Sequence, residues 1–250
     1  MFGFQIFRGF CWLLAWLPLQ CLYLISDLLF VVAYYVVRYR RKVVMNNLRN
    51  SFPEKTERER RLIARKFYRF LCDLILETVK LANIDTPQIR RRIQFSNPEI
   101  LDELHRKNKQ IFAVIGHYGN WEWLSTLEGT VPYHHATLYQ PLENKLFDKF
   151  LYDLRTKYGT DAIPTISALM AINQFRYENR LTALCFLSDQ SPPRHAIHYW
   201  TTFLNQDTPV YTGVEILARR YNTAVLYYKI RRVKRGYYEV DIYADYRKCR

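Results

Sequence analysis

The segment that most restricts how this chain folds runs from Ile111 to Trp123. A short apolar run, Ile111-Phe112-Ala113-Val114-Ile115, leads directly into Gly116-His117-Tyr118-Gly119-Asn120-Trp121-Glu122-Trp123. Read as a β-strand, the run delivers His117 to the rim of a sheet, where sites in α/β folds open. The glycines let the backbone turn tightly, and Asn120 is a good cap for a helix beginning at Trp121. His117 and Glu122 stand five positions apart and do not share one face of a regular helix. Only a strand–turn–helix corner brings them together. At such a corner Glu122 holds one imidazole nitrogen while the other faces a substrate hydroxyl, which is how a general base is oriented. The plain alternative is a turn whose histidine is merely hydrogen-bonded and whose tryptophans pack on a neighbour.

Around this corner the sequence alternates between strand and helix patterns. Residues 40–82 read as helical, with an apolar stripe from Leu62 and Ile63 through Phe67, Phe70, Leu71, Leu74 and Ile75 to Val79. Asp85-Thr86-Pro87 opens a short helix, and Phe95-Ser96-Asn97-Pro98 begins another that leads to Lys109. Strands are expected at 111–115, near 135–139 and at 181–187. Helices are expected from about 121, at 142–158, near 166–178 and at 212–221. Residues 223–230 and 237–243, joined through Lys234-Arg235-Gly236, read as a closing hairpin. Strand alternating with helix predicts an α/β fold, a mixed and mostly parallel sheet flanked by helices. At 250 residues the chain suffices for one such domain and an anchor.

The net charge of +14 calls for an anionic partner, and its distribution narrows the choice. Between Arg8 and Arg38 the only formal charge is Asp27, whereas residues 38–66 carry eleven Lys/Arg against three Glu. An apolar stretch with a basic flank is the pattern of a membrane segment whose flank lies in the cytoplasm. Nucleic-acid binding explains the charge but not the adjoining apolar run. As one helix the stretch would reach about 43 Å, enough to cross a bilayer. Pro18, Gln20, Ser26 and Asp27 interrupt it, so a kinked or in-plane anchor stays open beside a buried hairpin. The expected division is therefore a membrane anchor at 1–39 and a catalytic α/β domain at 40–250. Five scattered cysteines, with no Cys-x-x-Cys, form neither a disulfide framework nor a zinc site. They fit a reducing compartment.

Other residues carry weaker signals. Arg155, on the 142–158 helix, is either a solvated helix arginine or an anion clamp giving phosphate two parallel hydrogen bonds. Asp189-Gln190 follows the apolar strand and is either a turn cap or part of a site at the sheet's rim. His134-His135 and His195/His198 lack supporting carboxylate or cysteine spacings, so no metal site is expected. No Gly-x-Ser-x-Gly elbow, phosphate loop or dinucleotide fingerprint occurs.

Taken in order, Ile115-Gly116-His117-Tyr118-Gly119-Asn120-Trp121-Glu122-Trp123, Tyr139-Gln140-Pro141, Arg155 four before Gly159, Leu187-Ser188-Asp189-Gln190, and Phe203 with Thr208-Pro209 ahead of Gly213 resemble the bacterial lipid A biosynthesis (late) acyltransferases. These belong to the wider lysophospholipid acyltransferase superfamily, and the likeness covers most of the chain. The resemblance implies a glycerolipid acyltransferase-like fold and a His117/Glu122 catalytic dyad. It further implies substrate-binding roles for Gly119, Asn120, Arg155, Asp189 and Gln190. It implies an inner-membrane enzyme facing the cytoplasm, without cofactor, that moves an acyl chain from acyl carrier protein to a lipid hydroxyl. A lysophospholipid or amino-lipid acceptor is the nearest alternative; a non-catalytic lipid-binding scaffold is the alternative of another class. Family members usually run further than Cys249-Arg250, so a truncated chain or a short variant is expected.

Overall fold

The computed structural model describes residues 2–244; the expectation concerning Cys249-Arg250 lies outside them. In chain order the elements are α1 (Phe2–Trp16), α2 (Leu19–Val31), α3 (Arg41–Ser51), α4 (Glu57–Lys80), α5 (Thr86–Arg90), β1 (Ile93–Phe95), α6 (Glu99–Arg106), β2 (Ile111–Ile115), β3 (His134–Tyr139), α7 (Lys145–Thr156), β4 (Asp161–Pro164), α8 (Ala168–Tyr177), β5 (Thr182–Leu187), β6 (Trp200–Phe203), β7 (Gln206–Pro209), α9 (Gly213–Tyr221), β8 (Ala224–Lys234) and β9 (Tyr237–Ala244). The chain forms two compact units. One holds Met1–Ile84 with Tyr199–Pro209; the other holds Asp85–His198 and the chain from Val210 onward.

In the first unit the apolar stretch is two helices, because Pro18 has no N–H to continue α1. A π-helical turn, Val32–Val36, extends α2, and Leu19–Val36 is apolar enough to cross a membrane by composition, with mean hydropathy 1.8. Helix α4 starts at a capping box. The Thr56 hydroxyl accepts the Glu59 N–H, and the Glu59 carboxylate accepts the Thr56 N–H. Its second half turns a row of buried polar side chains toward α1 and α2. Ser26 donates to Asp73 at 2.7 Å and Tyr23 to Glu77 at 2.9 Å. The Lys80 ammonium reaches the Ala15 and Leu17 carbonyls at 2.7 and 2.9 Å, satisfying acceptors that the end of α1 leaves open. Phe30, Tyr34, Met45, Ala64, Tyr68 and Cys72 form the adjoining core.

The second unit is built on a seven-stranded sheet of order β1-β9-β8-β2-β5-β3-β4. Every pairing is parallel except the β8/β9 hairpin. The expected mixed, mostly parallel α/β sheet flanked by helices is thus present. Strand residues alternate between faces. Phe112, Ala136, Leu138, Leu184 and Phe186 pack beneath Ile172 and Phe175 of α8 and Ala218 of α9. Leu226, Tyr228, Ile230, Tyr238, Val240 and Ile242 are buried on the other face, where the Trp123 ring meets Tyr238 edge-on at 5.6 Å. Each such side chain contributes about 1.5–3 kcal/mol by leaving water.

Connectivity decides where a site can open. Strands β2 and β5 are neighbours, yet β2 leads toward β3 on one side and β5 leads back to β8 on the other. Both connections start at the carboxyl ends of this adjacent pair, the edge of an α/β sheet where ligands bind. The helix expected from about 121 is a 3₁₀ helix, Trp121–Leu127. Ser125 and Thr126 there hydrogen-bond the carbonyls three residues back, which favours the tighter winding.

Candidate active site at the carboxyl edge of the sheet

The β2/β5 register sets Ile115 opposite Leu187, and two residues further along each chain His117 meets Asp189. One Asp189 oxygen lies 2.7 Å from His117 Nδ1, and the other accepts the His117 backbone N–H at 2.7 Å. The carboxylate therefore grips both the ring and the main chain that carries it. Gly116 makes room for this approach: a Cβ there would lie 3.2 Å from the Asp189 carboxylate. The Trp121 ring stands edge-on to the imidazole at 4.8 Å. His117 and Asp189 are partly open to solvent, their side chains 33% and 43% exposed.

The turn that follows is fixed by two residues behind the site. Gly119 has φ +67°, and a Cβ on it would fall 2.5 Å from the Ile230 carbonyl oxygen. No other residue fits there. Asn120 is fully buried and its side-chain oxygen accepts the Trp123 N–H at 3.2 Å, so it is the expected cap.

Glu122 does not hold the imidazole. Beyond the turn it faces α7 and receives both prongs of Arg155, Nη2 at 2.6 Å and Nε at 2.9 Å. The expected His117–Glu122 contact is corrected on that ground: Asp189 reaches the ring from the neighbouring strand, and a guanidinium fork claims both Glu122 oxygens. The pair is mostly buried, the Arg155 and Glu122 side chains 20% and 12% exposed. Burial alone would lower the Arg155 pKa, but the Glu122 hydrogen bonds and charge raise it above the ordinary value. Tyr139 lies under the guanidinium, 5.8 Å from ring centre to carbon. The fork that sequence reading offered to phosphate is filled from within.

A cavity of about 1120 Å³ opens beside His117. Glu122, Arg155 and Gln190 line it with His117; Gly119, Asn120 and Asp189 are not among its lining residues. Much of the lining is apolar: Leu124, Leu138, Phe186, Ala168, Val214 and Leu217. A cavity of this size, largely apolar but with polar groups including His117, suits a ligand that carries an apolar chain. Sequence reading missed this wall, because it is assembled from β3, β5, α8 and α9, which appear in the sequence only as ordinary core.

Of the two histidines at the amino end of β3, His135 lines the cavity, whereas His134 is engaged away from it. His134 sits between Glu128 at 3.1 Å and Asp161 at 2.8 Å, and Glu128 also takes the His135 N–H at 2.6 Å. Burial opposes charge on both groups. The hydrogen bonds outweigh it, so the His134 pKa is raised and that of Glu128 falls well below the carboxylate range.

No curated protein matches the chain significantly. A family model, bacterial lipid A biosynthesis acyltransferase, matches residues 1–249, nearly the whole length. A match of that extent, on a sheet of the expected kind, makes the chain a member of the bacterial lipid A biosynthesis acyltransferase family, and hence an acyltransferase with a lipid acceptor.

Proposed function

We propose that this protein is a late-type lipid A acyltransferase that transfers a fatty acyl chain from acyl carrier protein to a lipid hydroxyl. One observation carries the reading: a histidine oriented by a carboxylate lines a large, mostly apolar cavity. The acceptor hydroxyl gives its proton to His117 Nε2 as its oxygen attacks the thioester carbonyl carbon. The tetrahedral intermediate collapses with cleavage of the C–S bond. The departing thiolate takes the proton back from the imidazolium, leaving an ester and a free thiol. Asp189 keeps the Nδ1 proton in place and stabilises the imidazolium without becoming the base. No acyl-enzyme is required, because the acceptor hydroxyl does what a nucleophilic serine would do.

Glu122 acts through Arg155 in this scheme, as a positioning residue that braces α7 against the catalytic turn. Gly119 and Asn120 hold the turn rather than touch substrate, and Gln190 is the polar group that meets the ligand beside His117. The 1–39 segment is read as an in-plane anchor on the cytoplasmic face of the inner membrane. In support, α1 and α2 are hydrogen-bonded to the buried polar row of α4, and α4 also carries exposed Arg58, Arg61, Arg65 and Lys66. Helices tied to α4 through such polar contacts fit an anchor lying in the membrane surface better than one crossing it.

The test is acyl transfer by the purified protein from acyl carrier protein thioesters to lipid A precursors and to lysophospholipids, with products read by mass spectrometry. A single added acyl ester on the lipid A precursor supports the reading. Acylation of lysophospholipid alone would move the protein to the alternative acceptor class.

A further inference from the structure

We propose that the β6–β7 hairpin is a second lipid-contacting element, whose Phe203–Leu204 tip enters the interfacial layer of an anionic bilayer. The inference rests on the membrane association proposed above but concerns a different part of the chain. The hairpin belongs to the same compact unit as the N-terminal helices. Its four β6 residues are all exposed, with Trp200 at 56% and Phe203 at 60%. A two-stranded hairpin of this kind has little reason to present aromatic rings to water.

The turn adds an independent sign. Leu204 and Asn205 both have positive φ, +50° and +60°, the geometry of a two-residue type I′ turn. Asn205 suits that geometry, and its side-chain amide donates to the Ser51 carbonyl at 3.3 Å, pinning the tip to the end of α3. Leu204 does not suit it, since a branched side chain in the left-handed region is strained. Leu204 stands at the point of the hairpin and is 42% exposed. Burial in lipid is a gain that would offset the strain.

The arrangement along β6 is consistent with shallow insertion. Trp200 and Tyr199 stand roughly 13 and 17 Å from Leu204 at about 3.3 Å per residue, and such rings favour the headgroup level. Asp207, close behind the tip, limits the depth. The exposed bases of this unit, including Lys42, Arg58, Arg61 and Lys66, select an anionic surface.

The experiment uses the full chain with phosphatidylglycerol-containing vesicles in which part of the lipid headgroups carry a nitroxide quencher. Wild type should float with the vesicles. A nitroxide-quenched component of its tryptophan emission should vanish in Trp200→Phe. Leu204→Gly relieves the strain, so it should melt no lower than wild type while partitioning roughly tenfold more weakly. Failure of wild type to float would overturn the membrane reading and this proposal with it. Flotation with an unquenched Trp200, or with unchanged partitioning of Leu204→Gly, would overturn the hairpin proposal alone.

Discussion

Asp189 binds His117 twice, once at the ring Nδ1 and once at the backbone N–H, each at 2.7 Å. One carboxylate thus fixes where the imidazole sits and which nitrogen carries its proton. Replacing it with Asp189→Asn keeps the size but offers an amide that can donate to Nδ1. That favours the tautomer whose Nε2 already bears a proton and cannot accept one. The expected result is a loss of about 10² to 10⁴ in kcat with little change in KM. Steady-state kinetics at several acceptor concentrations check it, and a fall in affinity alone would place Asp189 among substrate contacts.

The Glu122–Arg155 pair should behave as a single buried unit. Removing one partner leaves an uncompensated charge, which costs about 3 to 5 kcal/mol at a fully buried site and the lower end here, where both side chains keep some exposure. Glu122→Ala and Arg155→Ala should each lower the melting temperature. The double variant should be less destabilised than the sum of the two. Additive effects in the double-mutant cycle would show that the pair is not coupled.

Gly119→Ala should be severe. The positive φ costs an alanine about 1 kcal/mol, and a Cβ placed 2.5 Å from the Ile230 carbonyl forces the catalytic turn off β8. A loss of more than about 2 kcal/mol, with falling activity, is expected from chemical denaturation and assay. Gly213→Ala is the control, because a Cβ at that position meets nothing within 4 Å.

The ion-paired block at the amino end of β3 should make stability depend on pH. The His134 pKa is raised above 6.5, so its contribution is fully present below that value and lost as pH climbs through the folded pKa. Glu128 is depressed from 4.5, so its contribution is present above that value and lost as pH falls through its folded pKa. Both shifts describe one pairing, with Asp161 and Arg180 beside it, and are counted once. Melting temperature should therefore peak between about pH 4.5 and 6.5 and decline on the alkaline side. His134→Gln should melt lower near pH 6 and lose the alkaline decline; a retained decline would assign it to other groups.

Local pattern carried much of the fold. The apolar runs of β2 and β5, the helical stripe of α4 and the closing hairpin are legible because each is long enough to show its own period. Strands β1 and β4 are not: three and four residues long, they occupy the two sheet edges and show no alternation. The β6–β7 hairpin escaped because Leu204-Asn205 is not a recognised turn pair. His117 and its corner were readable, as was Asn120 as a cap. Asp189 was singled out as a rim residue but not as the partner of His117, since it lies 72 residues away and becomes a neighbour only when β5 docks beside β2. Glu122 and Arg155 were each singled out, but for separate tasks. Nothing in sequence says that they satisfy one another.

The central claim is that His117 is the base in acyl transfer, and the most direct measurement is the single-turnover rate of purified His117→Ala at a melting temperature matching wild type. The imidazole is partly exposed, so truncation should leave the sheet intact. A rate lower by about 10² to 10⁴ is expected. A folded variant that transfers acyl chains at nearly the wild-type rate would contradict the claim.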